Sequence, residues 1–322
     1  MRHELILILD FGSQYTQLIA RRLRELGVKT TIERGDLPTA GIRAADPIAL
    51  VLSGGPSSVF EEGALQVDPE IFNLGVPVLG ICYGMQLMAR DLGGLVESSD
   101  QREYGLAELE VVSDTSILKG TPSRQTVWMS HGDHVTRVPE GFEVLGRTGN
   151  SPVAAMADPR RRLIALQFHP EVRHTPNGTT MLESFIEIAG ARRDWNPAAI
   201  RHELVDRLRE SIPQGRVICG GSGGVDSSVT TVLLREAVGD RVSPIFVDTG
   251  LLRKDEGDTV MRSFAEFGIE LDRVDASERF FNALAGVADP EEKRRIIGRE
   301  FVEVFEAEAK RFPDATYLAQ GT

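Results

Sequence analysis

At 322 residues the chain is longer than one hydrophobic core usually spans, and 41% hydrophobic content is enough to fill two domains. A formal net charge of −12 gives no global field towards nucleic acid or an anionic membrane, so neither is expected as a partner, and small substrates must be held by local features. Two cysteines are too few for a disulfide framework or a Cys-rich zinc site, and no stretch has the length of a signal core or a membrane span, which predicts a cytoplasmic location.

Leu5 to Leu9 predicts a strand, Asp10-Phe11-Gly12-Ser13-Gln14 a turn, and the amphipathic stretch through Leu26 a helix. Further strands are expected at Ile48 to Leu52, Val76 to Ile81 and Leu163 to Phe168, with a helix from Met181 to Ala189 closing the first domain. Asn196-Pro197 offers an N-cap and a first-turn proline, and Ile200, Leu204, Leu208 and Ile212 follow at helical spacing, so a second domain starts here. Its strands are expected at Val217 to Cys219, Ser243 to Val247 and Tyr317 to Gln320, and its helices at Ser227 to Ala237 and Pro290 to Lys310. The alternation predicts an α/β protein of two domains, 1–195 and 196–322, each with a mainly parallel sheet flanked by helices.

Gly80-Ile81-Cys82-Tyr83-Gly84 joins an apolar run to a helical stretch in the Gly-x-nucleophile-x-Gly pattern, where a tight turn lifts the sulfur above the sheet edge and the helix N-terminus favours thiolate. Taken alone, the same residues equally suit a small buried cysteine between glycines. In Phe168-His169-Pro170-Glu171 the proline biases His169 towards extended backbone, which puts Glu171 on the same side as the imidazole. That spacing suits a base, taking the thiol proton, and the acid that orients it; a surface turn is the alternative. Ser53-Gly54-Gly55-Pro56 after a strand can present bare backbone N–H groups to a developing oxyanion, and Met129-Ser130-His131-Gly132-Asp133 offers polar groups for an amino acid.

In the second domain, Val217 to Gly221 leads into Ser222-Gly223-Gly224-Val225-Asp226-Ser227-Ser228 and then a helix, a concave array of N–H groups and hydroxyls for phosphate. It lacks the Gly-Lys-Ser/Thr ending of a Walker loop, and no Gly-x-Gly-x-x-Gly occurs in the chain. Asp248 ends the next strand, where nucleotide contacts belong in such sheets. Cys219 lies inside an apolar strand and reads as packing.

The Asp10 to Gln14 turn, Ser53-Gly54-Gly55-Pro56, the Cys82 turn and His169-Pro170-Glu171 resemble a class I glutamine amidotransferase domain over residues 5 to 190. The resemblance implies that Cys82, His169 and Glu171 form a triad releasing ammonia from glutamine, with Gly55 and the Tyr83 N–H as oxyanion hole and Gln86, Ser130, His131 and Asp133 around the substrate. Ser-Gly-Gly-x-Asp-Ser resembles the signature of the ATP pyrophosphatase family, which implies that residues 222 to 228 hold pyrophosphate, that Asp226 aids magnesium placement, and that ATP is cleaved between its α- and β-phosphates. Gly221 departs from that pattern, where a larger apolar residue is usual; the change leaves room for a looser strand end but keeps the phosphate-facing groups intact. The two domains in this order are similar to the GMP synthetase family, as are Val247 to Lys254, Asp289 to Gly298 and Gln320-Gly321-Thr322.

The family implies a ligase in which ammonia from glutamine attacks XMP adenylylated by ATP, with magnesium and no tightly bound organic cofactor. Lys293, Arg294, Arg295 and Arg299 read either as phosphate contacts or as a solvated helix face. The chain is expected to be a fragment, because family members continue into the rest of the ATP domain and a further domain that binds XMP and dimerises. A synthetase acting on another acceptor and a non-catalytic fragment are the rival readings.

Overall fold

The computed structural model describes residues 3–221 and 223–321, with the side chains of residues 99–102 left out. The chain forms two compact units, Met1–Asn196 and Pro197–Thr322.

In chain order the first unit runs β1 (Leu5–Asp10), α1 (Thr16–Glu25), β2 (Lys29–Arg34), α2 (Thr39–Ala45), β3 (Ala49–Leu52), β4 (Val78–Ile81) and α3 (Tyr83–Asp91). Then come β5 (Leu95–Val111), β6 (Arg124–Arg137), β7 (Glu143–Arg147), β8 (Ala155–Asp158), β9 (Leu163–Leu166) and α4 (Gly178–Ala189). Among the described residues the strands make one sheet in the order β2-β1-β3-β4-β9-β8-β7-β5-β6. The run from β2 to β9 is parallel, whereas β9-β8-β7-β5-β6 pair antiparallel, so the α/β class holds but this sheet is mixed. β3 and β4 are buried along their whole length, as a parallel sheet covered on both faces requires. The two-residue period of β1 sends Ile6 and Ile8 to one face, against Ile19 and Leu23 of α1 and Phe185 of α4. Leu7 and Leu9 go to the other, with Ile42 of α2 and Met85 and Leu87 of α3.

The second unit runs α5 (Pro197–Ser211), β10 (Arg216–Gly221), α6 (Val225–Val238), β11 (Val242–Asp248), α7 (Glu256–Glu266), β12 (Asp272–Asp275), α8 (Ser277–Leu284), α9 (Pro290–Ala309) and β13 (Ala315–Gln320). Its sheet is parallel throughout, in the order β12-β11-β10-β13. Val217 and Cys219 face Ile212 and Leu234 on one side, and Ile218 and Ile245 face Phe280 and Val304 on the other. β10 runs through Gly221, which pairs with Phe246, so the glycine does not loosen the strand end. Cys219 is fully buried beside the Thr231 hydroxyl at 3.3 Å, and burial pushes its thiol pKa up, in keeping with a packing role.

Candidate active site

β1, β3, β4 and β9 are successive parallel neighbours, so their carboxyl ends open on one rim. Four stretches far apart in sequence meet there: the Asp10 turn, the Ser53 to Pro56 turn, Cys82, and the His169 to Glu171 segment. This is where ligands bind in open α/β sheets.

Each stretch is fixed by its backbone. Ser53 ties three of them together, since its N–H donates to Leu9 O, its Oγ accepts from Phe11 N at 3.0 Å, and its carbonyl accepts from Gly84 N at 3.1 Å. Cys82 occupies φ 51°, ψ −103°, a conformation that costs a non-glycine residue about 1–3 kcal/mol and persists only where its surroundings dictate it. Here the Cys82 N–H donates to Leu166 O at 2.7 Å, and the glycines on either side let the turn close. A Cβ on Gly84 would lie 2.4 Å from Leu52 O, and one on Gly80 2.7 Å from Gly84 O. The glycines are there for close approach, and the positive φ falls on the cysteine itself.

His169 Nδ1–H donates to Glu171 Oε1 at 2.7 Å, both residues being buried. The His169 N–H donates to Trp128 O, its carbonyl accepts from Thr175 Oγ1 at 2.7 Å, and Tyr15 packs edge-on against the ring at 5.0 Å. Burial disfavours a charge on His169, but the Glu171 carboxylate and the hydrogen bond with Cys82 outweigh it and raise the imidazole from 6.5 to about 10. At neutral pH the ring therefore carries both protons.

A cavity of about 410 Å³ opens over the sulfur, and its lining includes Gly55, Cys82, Gln86, Ser130, His131 and Asp133. Tyr83 contributes no side chain to it, as its ring is buried and its hydroxyl donates to Leu65 O at 2.7 Å. Gln86 Nε2 donates to Asp133 O at 2.7 Å and so braces the cavity wall, while Asp133 Oδ2 is buried with no hydrogen-bond partner.

Glu103, absent from the sequence expectations, stands opposite His131 in the β5–β6 ladder. It lies 3.3 Å from His131 Nε2 and accepts from Ser151 Oγ at 2.9 Å and from Thr148 Oγ1 at 3.0 Å. Burial pushes its carboxyl pKa up, yet the hydrogen bonds from His131, Ser151 and Thr148 bring it below the usual value, so it stays ionised. The only signal for it in the sequence is strand register, which requires the fold.

In the second unit, Gly223 (φ 78°) and Gly224 turn the chain from β10 into α6, while Ser222 lies outside the described residues. The turn sits where the order reverses, with β11 on one side of β10 and β13 on the other, which is the switch point at which such sheets bind ligands. Val225 and Asp226 are exposed in the first turn of α6. Ser227 and Ser228 donate their hydroxyls to Gly224 O at 3.1 and 2.8 Å. A Cβ on Gly321 would lie 2.6 Å from Ser227 N, so the end of β13 abuts this turn. Asp248 is held away from solvent, accepting from Gly250 N at 3.0 Å and from Arg273 Nη2 at 2.7 Å. Arg294 and Arg299 pair with Glu291 and Glu300 of their own helix, as a solvated face would.

The profile of the family "Glutamine amidotransferase class-I" matches residues 7–189, more than half the chain, and the chain belongs to that family. Its relatives narrow the comparison. It is 51% identical over 320 residues to "GMP synthase [glutamine-hydrolyzing]" of Lactobacillus acidophilus, and 52% identical over 321 residues to the protein of the same name from Macrococcus caseolyticus. These alignments cover 98% and 99% of this chain, which spans 62% of the length of each relative. A crystal structure from Thermoplasma acidophilum, described as that of a candidate GMP synthase subunit, superposes with a TM-score of 0.54 at 33% identity, covering 59% of this chain and 96% of that one. No helix among the described residues is long and apolar enough to cross a membrane.

Proposed function

We propose that residues 1–195 hydrolyse glutamine with Cys82, His169 and Glu171, and that residues 196–322 bind ATP for an enzyme that uses the ammonia to make GMP from XMP. The observation that carries the first part is the strained Cys82 turn at the rim it shares with His169, whose Nδ1 Glu171 holds at 2.7 Å. The Cys82 thiolate attacks the side-chain amide carbon of glutamine, and the N–H groups of Gly55 and Tyr83 receive the oxyanion. His169 gives its proton to the departing ammonia. Water, deprotonated by the now neutral His169, then attacks the thioester, releasing glutamate and restoring the thiolate. Glu171 holds the ring by Nδ1 and stabilises its charged form throughout. Asp133, a residue of the cavity wall, is the carboxylate this reading assigns to the α-ammonium of the substrate.

For ATP, the turn from Gly223 to Ser228 offers glycine N–H groups at the start of α6, and Asp226 is exposed beside them. Magnesium would arrive with the ATP phosphates, and the exposed Asp226 at the start of α6 is the carboxylate this reading assigns to it. GMP as the product rests on the names of the relatives, and XMP as the acceptor on the family resemblance of the sequence.

Two assays test the reading. Glutamate release should vanish in Cys82→Ala while ATP binding to the same variant persists; retained hydrolysis would remove the triad. With the full-length enzyme, glutamine-dependent pyrophosphate release should require XMP, and equal release with another purine nucleotide would reassign the acceptor.

A further inference from the structure

Resting on the glutaminase reading, we propose that Gln167 is a further catalytic residue whose side-chain N–H stabilises the Cys82 thiolate. Gln167 is fully buried between β9 and His169, and its Nε2 lies 3.8 Å from Cys82 Sγ, within hydrogen-bond range for sulfur. Its backbone N–H donates to Ala154 O, which anchors the residue in the sheet and points the side chain to the sulfur from the strand that also delivers His169. The sulfur stands between opposed influences. Ser130 O lies 3.5 Å away and can only accept, so it favours the protonated thiol. His169 and Gln167 Nε2 donate, and both favour the thiolate.

The other end of the amide sharpens the assignment. Gln167 Oε1 is buried with no hydrogen-bond partner, an arrangement proteins seldom keep for packing alone. Reversing the amide would set a carbonyl oxygen against a thiolate and leave two unpaired donors in its place. The observed orientation is the one that serves an anionic sulfur.

Gln167→Leu keeps the volume and removes the donor, and Gln167→Glu keeps the shape but replaces the donor by an acceptor. The measurement is the pH dependence of iodoacetamide alkylation on the Cys82 peptide, read by mass spectrometry beside glutaminase kcat and KM and the thermal unfolding curve. In Gln167→Leu the apparent pKa of alkylation should rise by about one unit, which is about a tenfold slower reaction on the acid limb. kcat should fall by a similar factor with KM little changed, and Gln167→Glu should be more impaired than Gln167→Leu. An alkylation profile in Gln167→Leu equal to that of the parent would overturn the proposal, as would a Gln167→Glu protein with parental activity. Loss of folding in both variants leaves Gln167→Asn to decide: it keeps the donor on a shorter arm, and a profile that stays parental with the donor withdrawn also overturns it. If Cys82→Ala still hydrolyses glutamine, the glutaminase reading fails independently of these results.

Discussion

The Cys82 turn and the turn before α6 both follow strands at the carboxyl edge of a parallel sheet and carry glycines, yet they are built on opposite plans. At the Cys82 turn the side chains are buried and the segments are tied to one another: Ser53 bonds three segments, Glu171 grips His169, and the backbone strain falls on Cys82 itself. At the turn before α6 the described side chains are exposed or bonded to the turn's own backbone, the left-handed conformation falls on Gly223, and Asp226 stands in solvent. Covalent chemistry needs a nucleophile and proton carrier held within tenths of an ångström before substrate arrives. Anion binding asks only for N–H groups at a helix start, and the ligand brings the charge.

The contrast predicts unequal sensitivity to substitution. Glu171→Gln should have the largest effect short of removing the sulfur, lowering glutaminase kcat by about 10³- to 10⁴-fold, because an amide can neither hold the imidazolium nor fix the ring's tautomer. A loss under tenfold would mean that Glu171 only fills space. At the same turn, Gly84→Ala drives a Cβ onto Leu52 O and should destabilise the first unit by about 1–3 kcal/mol in a denaturant titration, with activity lost alongside. An alanine variant of parental stability would show that the turn is looser than its geometry states.

Asp226→Asn should weaken magnesium-dependent ATP binding about tenfold by calorimetry while glutamine hydrolysis is unchanged. If both fall in a folded variant, the separation of the two sites is wrong. Glu103→Gln should raise KM for glutamine several-fold with kcat nearly constant, since it holds His131 in the cavity wall and touches no reacting atom. A fall in kcat at constant KM would instead place it in the chemistry.

The same site also predicts how stability depends on pH. His169 has a folded-state pKa of about 10, above its ordinary 6.5, so its charged form stabilises the fold fully below about pH 6.5, and this is lost as pH rises through about 10. Unfolding free energy should decline between these values, less steeply in Glu171→Gln, and equal slopes in the two proteins would contradict the cause given for the shift.

What could be read from the sequence follows the same division. Strands buried on both faces, such as Ala49–Leu52 and Val78–Ile81, appear as unbroken apolar runs, and the motifs at their ends are local in sequence. β5 and β6 are long strands with exposed, charged positions and register shifts in their pairing, and β12 reads Asp-Arg-Val-Asp, so composition gave no run to recognise. Glu103 escaped notice because its partners His131, Thr148 and Ser151 come from other elements, and Gln167 because nothing in a strand-end glutamine announces a sulfur beside it. The proton on His169 was equally hidden, since it depends on burial and on two neighbours acting together.

The central claim is that Cys82 is the nucleophile of a glutamine site, and covalent trapping tests it most directly. The protein is incubated with an electrophilic glutamine analogue, with and without excess glutamine, and the modified peptide is located by mass spectrometry. One adduct per chain, on Cys82, suppressed by glutamine and absent from Glu171→Gln on the same timescale, is the predicted result. Modification of Cys219, or labelling of Cys82 that glutamine does not suppress, would contradict it.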